Sequence, residues 1–231
     1  MTRLADPSDK GSLSYRLRSK RDRLLRAFLL DVAKDRPRGL RICDLGGGVA
    51  YWERVGLDWL ASHDMTVVCV NHDPGELTRD AQRAGPIELV TGDACAMAGY
   101  ADGSFDVVHS NSVIEHVGTW PRMADFAGEV RRLAPAYYVQ TPYFWFPVDP
   151  HFYRLPGLHW LPPSLRLKLH RRFRLGWAPA QPSVDAAMRL VVSNAMLDRT
   201  QFRHLFPDAE HRFEFFAGLP KSMIAMRSSA S

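Results

Sequence analysis
The residues best suited to chemistry in this 231-residue chain form one run, Asp44-Leu45-Gly46-Gly47-Gly48, which follows the apolar Ile42 and Cys43. A short buried strand that runs straight into a glycine turn makes a ligand niche at the carboxyl edge of an open α/β sheet. Glycine suits the turn because it tolerates positive φ and carries no side chain to hold a ligand off the backbone. A dinucleotide fingerprint needs a further glycine at the sixth place, where Tyr51 stands, and no Gly-Lys-Ser/Thr of a P-loop follows. A carboxylate just ahead of the glycines is badly placed to cradle a phosphate and well placed to meet an amine or a cation.

Those requirements favour a ligand bearing an α-amino group and a sulfonium, such as S-adenosylmethionine, over a pyrophosphate. The remaining polar candidates sit where other strands should end: Asn71-His72-Asp73, Gly92-Asp93-Ala94 and Ser110-Asn111-Ser112. Behind the last of these stands His116, with His151 and His159 farther along, as histidines able to take a proton near neutral pH.

The elements that must position these residues follow a βα alternation. An apolar stripe of Leu17, Leu24, Leu25, Phe28, Leu29 and Val32 predicts a helix over 12–34, after a disordered 1–11. It either packs on the sheet edge or forms a lid whose Tyr15, Arg16, Arg18 or Lys20 reaches a ligand carboxylate. Strands are expected at 66–70, 87–90, 105–109 and 136–140, and helices at 51–60, 76–84, 113–117 and 123–133. Such alternation means a parallel sheet wound by helices on both faces. Residues 141–182 interrupt it with eight prolines and many aromatics, a composition suited to a substrate pocket beyond a strand's end. A helical turn at 201–206 and strands at 212–216 and 223–227 close the chain, the last two as a hairpin-like pair at the sheet edge.

Charge is segregated. Residues 1–41 carry 12 Lys/Arg against 5 Asp/Glu, residues 42–150 carry 6 against 15, and residues 151–231 carry 12 against 5. An acidic core with basic flanks is not the continuous basic face of a nucleic-acid binder, so no nucleic-acid partner is expected, although an anionic acceptor or membrane surface could be attracted. Cys43, Cys69 and Cys95 are single and far apart, as suits a reducing, cytoplasmic setting. The polar N-terminus carries no secretory signal, and no stretch is apolar enough to span a bilayer.

Taken together, Asp44-Leu45-Gly46-Gly47-Gly48, the strand end at Asn71, Gly92-Asp93-Ala94, and Phe105-Asp106-Val107-Val108 followed by Ser110-Asn111-Ser112-Val113-Ile114-Glu115-His116-Val117 resemble the class I S-adenosylmethionine-dependent methyltransferases, in particular the type 11 kind. The resemblance is strong over 42–141 and weak over the last two strands. It implies a Rossmann-like α/β fold with a seven-stranded mixed sheet, order 3-2-1-4-5-7-6, the last strand antiparallel. A single domain over 1–231 is expected: an N-terminal helical segment (1–40), a cofactor-binding core (41–141), a substrate-side insertion (142–200), and a terminal helix and strands (201–231).

The resemblance also implies roles. Asp44, Gly46 and Gly48, with Gly47 between them, flank the methionine portion of the cofactor. Asn71 stands where the family places an acid on both ribose hydroxyls, with Asp73 two residues on. His72 packs on adenine, Asp93 receives the adenine amino group, Ala94 supplies a backbone N–H, and Asn111 touches the methionine end through its backbone. His116 and His151 are the catalytic candidates for an acceptor that must lose a proton. Glu115 and His116 alone are too few to hold a divalent cation, which some ubiquinone-pathway relatives do, and no metal is expected.

The expected activity is methyl transfer, most simply to oxygen, on a small-molecule or lipid- or glycan-linked acceptor. A non-catalytic adenosyl-binding module and a nicotinamide oxidoreductase are the alternatives. Leu158, Leu161, Leu165, Leu169 and Phe173, with interleaved arginines and lysine and with Trp160 and Trp177 at the flanks, read as an amphipathic helix. It either closes the pocket or meets a membrane surface through 158–177.

Overall fold
The computed structural model describes residues 13–34, 36–72, 85–176 and 178–228, with the side chains of 13–18 excepted. The helix expected over 76–84, and what is expected of Asp73, Trp177, residues 1–11 and the Tyr15, Arg16 and Arg18 side chains, lie outside the described residues.

The sheet has seven strands: β1 (Arg41–Leu45), β2 (Thr66–Asn71), β3 (Ile87–Thr91), β4 (Val107–Asn111), β5 (Ala136–Pro142), β6 (Glu210–Phe216) and β7 (Leu219–Arg227). Their order is β3-β2-β1-β4-β5-β7-β6, with β7 antiparallel to both of its neighbours. The last strand therefore inserts between β5 and β6 and leaves β6 at the edge. This is the expected order, and the antiparallel β6–β7 pair ends the sheet on that side. The central strands are buried on both faces, which explains their near-continuous apolar runs.

Side chains alternate between two cores. On one face Ile42, Val67, Cys69, Val107 and Tyr138 meet α1 (Leu13–Ala33), α2 (Val49–Val55) and α3 (Leu57–Ser62). Helix α1 presents Leu25, Phe28, Leu29 and Val32, the three- and four-residue spacing of one helical face. On the other face Cys43, Leu45, Val68, Val108, Tyr137 and Val139 meet α4 (Trp120–Leu133) through Met123, Phe126, Val130 and Leu133. Helix α7 (Arg199–Leu205) joins this face through Phe202 and Leu205, and its start is fixed by a capping box between Asp198 and Gln201.

The helix expected over 51–60 is two helices. Gly56 lies at φ 115°, a conformation that L side chains rarely adopt, and the chain breaks there between α2 and α3. The short helix expected at 113–117 is a single 3-10 turn, Ile114–His116.

The insertion after β5 carries α5 (Pro163–Arg172) and α6 (Val184–Val192) and buries a small cluster of its own, Phe152, Leu158 and Leu175. The continuous amphipathic helix expected from Leu158 to Phe173 is instead a 3-10 turn at Leu158–Trp160 followed by α5, because Pro162 and Pro163 separate them. Among the described residues no helix is long and apolar enough to cross a membrane.

Candidate active site
The carboxyl ends of β1–β5 open onto two cavities. One, about 550 Å³, is lined by Gly46, Val70, Asn71, His72, Gly92, Asp93, Ala94, Ser112, Val113, His116, Val117 and Arg122. The second, about 420 Å³, is lined by Arg21, Tyr51, Arg54, Asn111, Ser112, Gln140 and Lys221, and by Pro142, Tyr143, Phe146, Val148 and Pro150 from β5 and the insertion. Ser112 belongs to both walls, and its φ of 56° turns the chain sharply off the end of β4.

Five of the expected cofactor residues therefore meet at the first cavity, Gly46, Asn71, His72, Asp93 and Ala94, while Asn111 lines the second. The Asp93 carboxylate accepts the Cys95 backbone N–H at 2.9 Å and two bonds from Arg122, at 2.7 and 2.8 Å. Those bonds, Arg122's first, hold its pKa below the ordinary carboxylate value.

Asp44 does not face either cavity. It is 1% exposed, and its oxygens accept from His109 Nδ1 at 2.7 Å and from Trp52 Nε1 at 2.7 Å. The cause is register. Asp44 lies opposite His109 across the parallel β1–β4 pair, so the two side chains share the face that α2 covers. A carboxylate only accepts, so His109 Nδ1 carries the proton, and Nε2 is left to accept the Tyr51 hydroxyl at 3.1 Å. Burial raises the Tyr51 phenol well above its ordinary pKa, which keeps it a donor. The result is a chain of contacts from Trp52 through Asp44 and His109 to Tyr51 at the wall of the second cavity.

The glycine turn serves this packing. A Cβ at Gly47 would fall 1.6 Å from Asp44 Oδ2, and one at Gly46 would fall 2.5 Å from Val113 Cγ2. Gly47 and Gly48 line neither cavity. The turn therefore needs glycine first to fold over its own acid and against Val113.

Helix α1 reaches the site, but through Arg21, which is not among the residues expected to reach the ligand. Lys20, which is among them, is exposed. The Arg21 guanidinium donates to Glu214 on β6 at 2.8 and 2.6 Å, to Asn111 Oδ1 at 2.6 Å and to Gln140 Oε1 at 3.2 Å. Its spacing from Leu25, Phe28 and Leu29 puts it on the buried side of α1, and that was the available signal.

The two catalytic candidates come together. His116 Nε2 and His151 Nε2 are 3.0 Å apart, with the rings nearly perpendicular. His116 lines the first cavity, and Pro150, the neighbour of His151, lines the second. His151 Nδ1 is 2.8 Å from Asp149 Oδ1, and His116 Nδ1 is 3.0 Å from the Ser193 carbonyl. Burial by itself disfavours a charged His151, yet the Asp149 carboxylate outweighs it and raises the pKa. Glu115 beside them is fully buried. Burial raises its pKa, and Thr141 Oγ1 donates to its Oε2 at 2.9 Å. His159, the third histidine considered, instead contacts the Phe144 carbonyl at 2.8 Å.

Comparison with known proteins agrees with this geometry. Residues 44–135 match the methyltransferase domain family. The PH0226 protein from Pyrococcus horikoshii OT3 has a similar structure, with TM-score 0.57 and 17% identity over 96% of this chain and 95% of that one. An S-adenosylmethionine-dependent methyltransferase from Methanosarcina mazei gives TM-score 0.54 and 14% identity, covering 84% of this chain and 94% of that one. Magnesium protoporphyrin IX methyltransferase from Synechocystis PCC 6803, solved with bound S-adenosylhomocysteine, gives TM-score 0.51 and 16% identity over 93% and 87% of the two chains. No curated protein matches the chain in sequence.

Proposed function
From the match of residues 44–135 to the methyltransferase domain family, we propose that the chain is an S-adenosylmethionine-dependent methyltransferase that transfers the cofactor's methyl group to the oxygen of a small-molecule or lipid- or glycan-linked acceptor. The observation that carries this reading is the single wall, Ser112, between a cavity of nucleoside-binding character and one lined by the insertion's aromatics.

The residues present fit the cofactor. In the first cavity Asn71 would hold the ribose hydroxyls, His72 would flank the adenine, and Asp93 with the Ala94 N–H would read its edge. An amide in place of an acid at Asn71 still donates and accepts, without the charge-assisted pair. In the second cavity Tyr51, Asn111 and Arg21 would meet the amino-acid end. The expected part of the Asp44 carboxylate passes to them, and Asp44 becomes the brace beneath the turn. When bound, the cofactor supplies a methyl carbon on a sulfonium, already an excellent leaving group.

The protein's task is then to hold acceptor and methyl carbon in line, a positioning effect worth ~7–11 kcal/mol. Tyr143, Phe146, Val148 and Pro150 would exclude water around the acceptor, and the His116–His151 pair would act on the proton of its hydroxyl. A lipid-linked acceptor draws support from the exposed insertion surface. Trp145, Trp160 and Phe173 are 59%, 44% and 49% exposed, close in sequence to exposed Lys168, Arg171, Arg172 and Arg174.

Calorimetry with S-adenosylhomocysteine should show binding, and NADH should not bind. Incubation with methyl-labelled cofactor and a fractionated cell extract should place label in a small-molecule, lipid or saccharide fraction, released by conditions that cleave methyl ethers or esters. Label confined to protein or nucleic acid, or no label with a cofactor that binds, would overturn the reading.

A further inference from the structure
The His116–His151 pair poses a problem of charge. A carbonyl oxygen and a carboxylate only accept hydrogen bonds, so each Nδ1, set against Ser193 O and Asp149 Oδ1, keeps its proton. Asn194 Nδ2 lies 3.1 Å from the other Asp149 oxygen and 3.0 Å from His151 Nδ1; as a donor it bonds to the carboxylate, and the shorter 2.8 Å contact to Asp149 keeps the proton on Nδ1. In neutral rings each Nε2 is then a bare lone pair, and the two point at one another across 3.0 Å. Such a contact is stable only with something positive between the nitrogens.

A proton would satisfy both nitrogens and nothing more. Glu115 Oε1 would remain, buried and without a hydrogen-bond partner, as would Oδ1 of the neighbouring Asn194. One ligand atom from each of Glu115, His116 and His151 falls within 4.8 Å of the others. A cation bonded to all three accounts for the opposed lone pairs and the orphaned Glu115 oxygen together.

The surroundings are those of metal ligands. Each donor's second polar atom is tied down, His116 by Ser193, His151 by Asp149, and Glu115 by Thr141, which fixes tautomer and orientation. The Ala195 N–H bonds to the Glu115 carbonyl at 2.7 Å and secures the turn against the segment after α6.

We propose that Glu115, His116 and His151 bind a first-row divalent cation. Two imidazoles and one carboxylate select Zn²⁺, Co²⁺, Mn²⁺ or Fe²⁺ over Mg²⁺ or Ca²⁺, which prefer all-oxygen sites. Three protein donors leave coordination positions open, as in catalytic rather than structural sites. His116 belongs to the first cavity's wall. Resting on the methyl-transfer reading, the open positions take the acceptor's hydroxyl, whose pKa the cation lowers. The imidazoles then serve as ligands; the hydroxyl proton passes to solvent water, and the oxygen takes the methyl carbon as the carbon–sulfur bond breaks and the sulfonium becomes a neutral thioether.

The test uses chelator-stripped protein titrated with Zn²⁺ and with Mg²⁺ by calorimetry, and with Co²⁺ in the visible spectrum. Expected are one Zn²⁺ per chain, Mg²⁺ at least about 100-fold weaker, and a Co²⁺ band of low-coordinate intensity. Glu115→Gln and His151→Gln should each weaken Zn²⁺ by more than tenfold, and Asp149→Asn, acting through His151, by about tenfold. Circular dichroism checks that each variant folds. Where a variant does not, the wild-type Co²⁺ spectrum and stoichiometry still decide.

Absence of stoichiometric Zn²⁺ binding, or equal affinity in a folded His151→Gln variant, overturns the proposal. Binding of S-adenosylhomocysteine by protein that takes up no Zn²⁺ or Co²⁺ would sink the metal site and leave methyl transfer standing. A bound cation with no affinity for S-adenosylhomocysteine would do the reverse.

Discussion
Asp44 shows how a residue of the right type can be committed elsewhere. Its carboxylate accepts from His109 Nδ1 and from the Trp52 N–H in a buried pocket. Trp52→Phe keeps an aromatic ring but removes the donor and leaves a void. The lost bond to a buried carboxylate costs ~1–3 kcal/mol, and the smaller ring adds a further cavity term. Urea unfolding of this variant should show a drop of at least about 1 kcal/mol. An unchanged midpoint would mean the bond contributes nothing. The acid–glycine run was legible from residue types alone. The direction of the acid was not, because it depends on which residue of β4 lies in register with it, and that pairing is settled by the whole sheet. His109 gave no local sign of being Asp44's partner. The His116–His151 meeting was equally hidden, since 35 residues separate the two and only the insertion's path joins them.

At the scale of elements, β-branched runs made the strands readable and apolar spacing made α1 and α4 readable. The errors fell where one residue overrides a pattern, as Gly56 does in the break between α2 and α3 and as Pro162-Pro163 does ahead of α5. The docking of the last strands rests on polar contacts that no periodicity reveals. Asp208, just before β6, accepts from the Tyr137 hydroxyl of β5 at 2.5 Å and from Arg227 of β7 at 2.6 Å. Burial acts to raise the Asp208 pKa, but these donors prevail and lower it. A folded pKa below the unfolded value of about 3.9 gives stability that is complete above that value. That stability is lost as pH falls through the folded pKa. Asp208→Asn should therefore be less stable than the parent at neutral pH and lose less on acidification. Urea midpoints measured from neutral to acid pH check this, and parallel curves for the two proteins would refute it.

For the whole molecule, charge and topology work together. The basic flanks inferred from the sequence come from α1 and from the insertion and C-terminal third, on either side of an acidic core. Exposed Trp145 and Trp160, their rings 6.2 Å apart, give the insertion's basic surface an apolar contact point. The protein should co-sediment with anionic vesicles at low ionic strength and be released as salt is raised. Replacing both tryptophans with serine should abolish sedimentation, and no binding by the parent would remove the lipid-linked reading. Arg21 provides the other long-range link, joining α1 to β6 and to Asn111 and Gln140 at the site. Arg21→Met leaves Glu214 without its partner and should cost about 1.5–3 kcal/mol. It should also weaken S-adenosylhomocysteine in calorimetry, whereas a purely structural role would leave affinity in the folded fraction unchanged.

The Arg21–Glu214 ion pair joins residues 193 positions apart. During synthesis that clasp can close only after Glu214 has left the ribosome. A nascent chain stalled before β6 would hold the glycine bend and both histidines yet lack the strand that anchors α1. The polar anchoring of α1 thus waits until β6 has emerged.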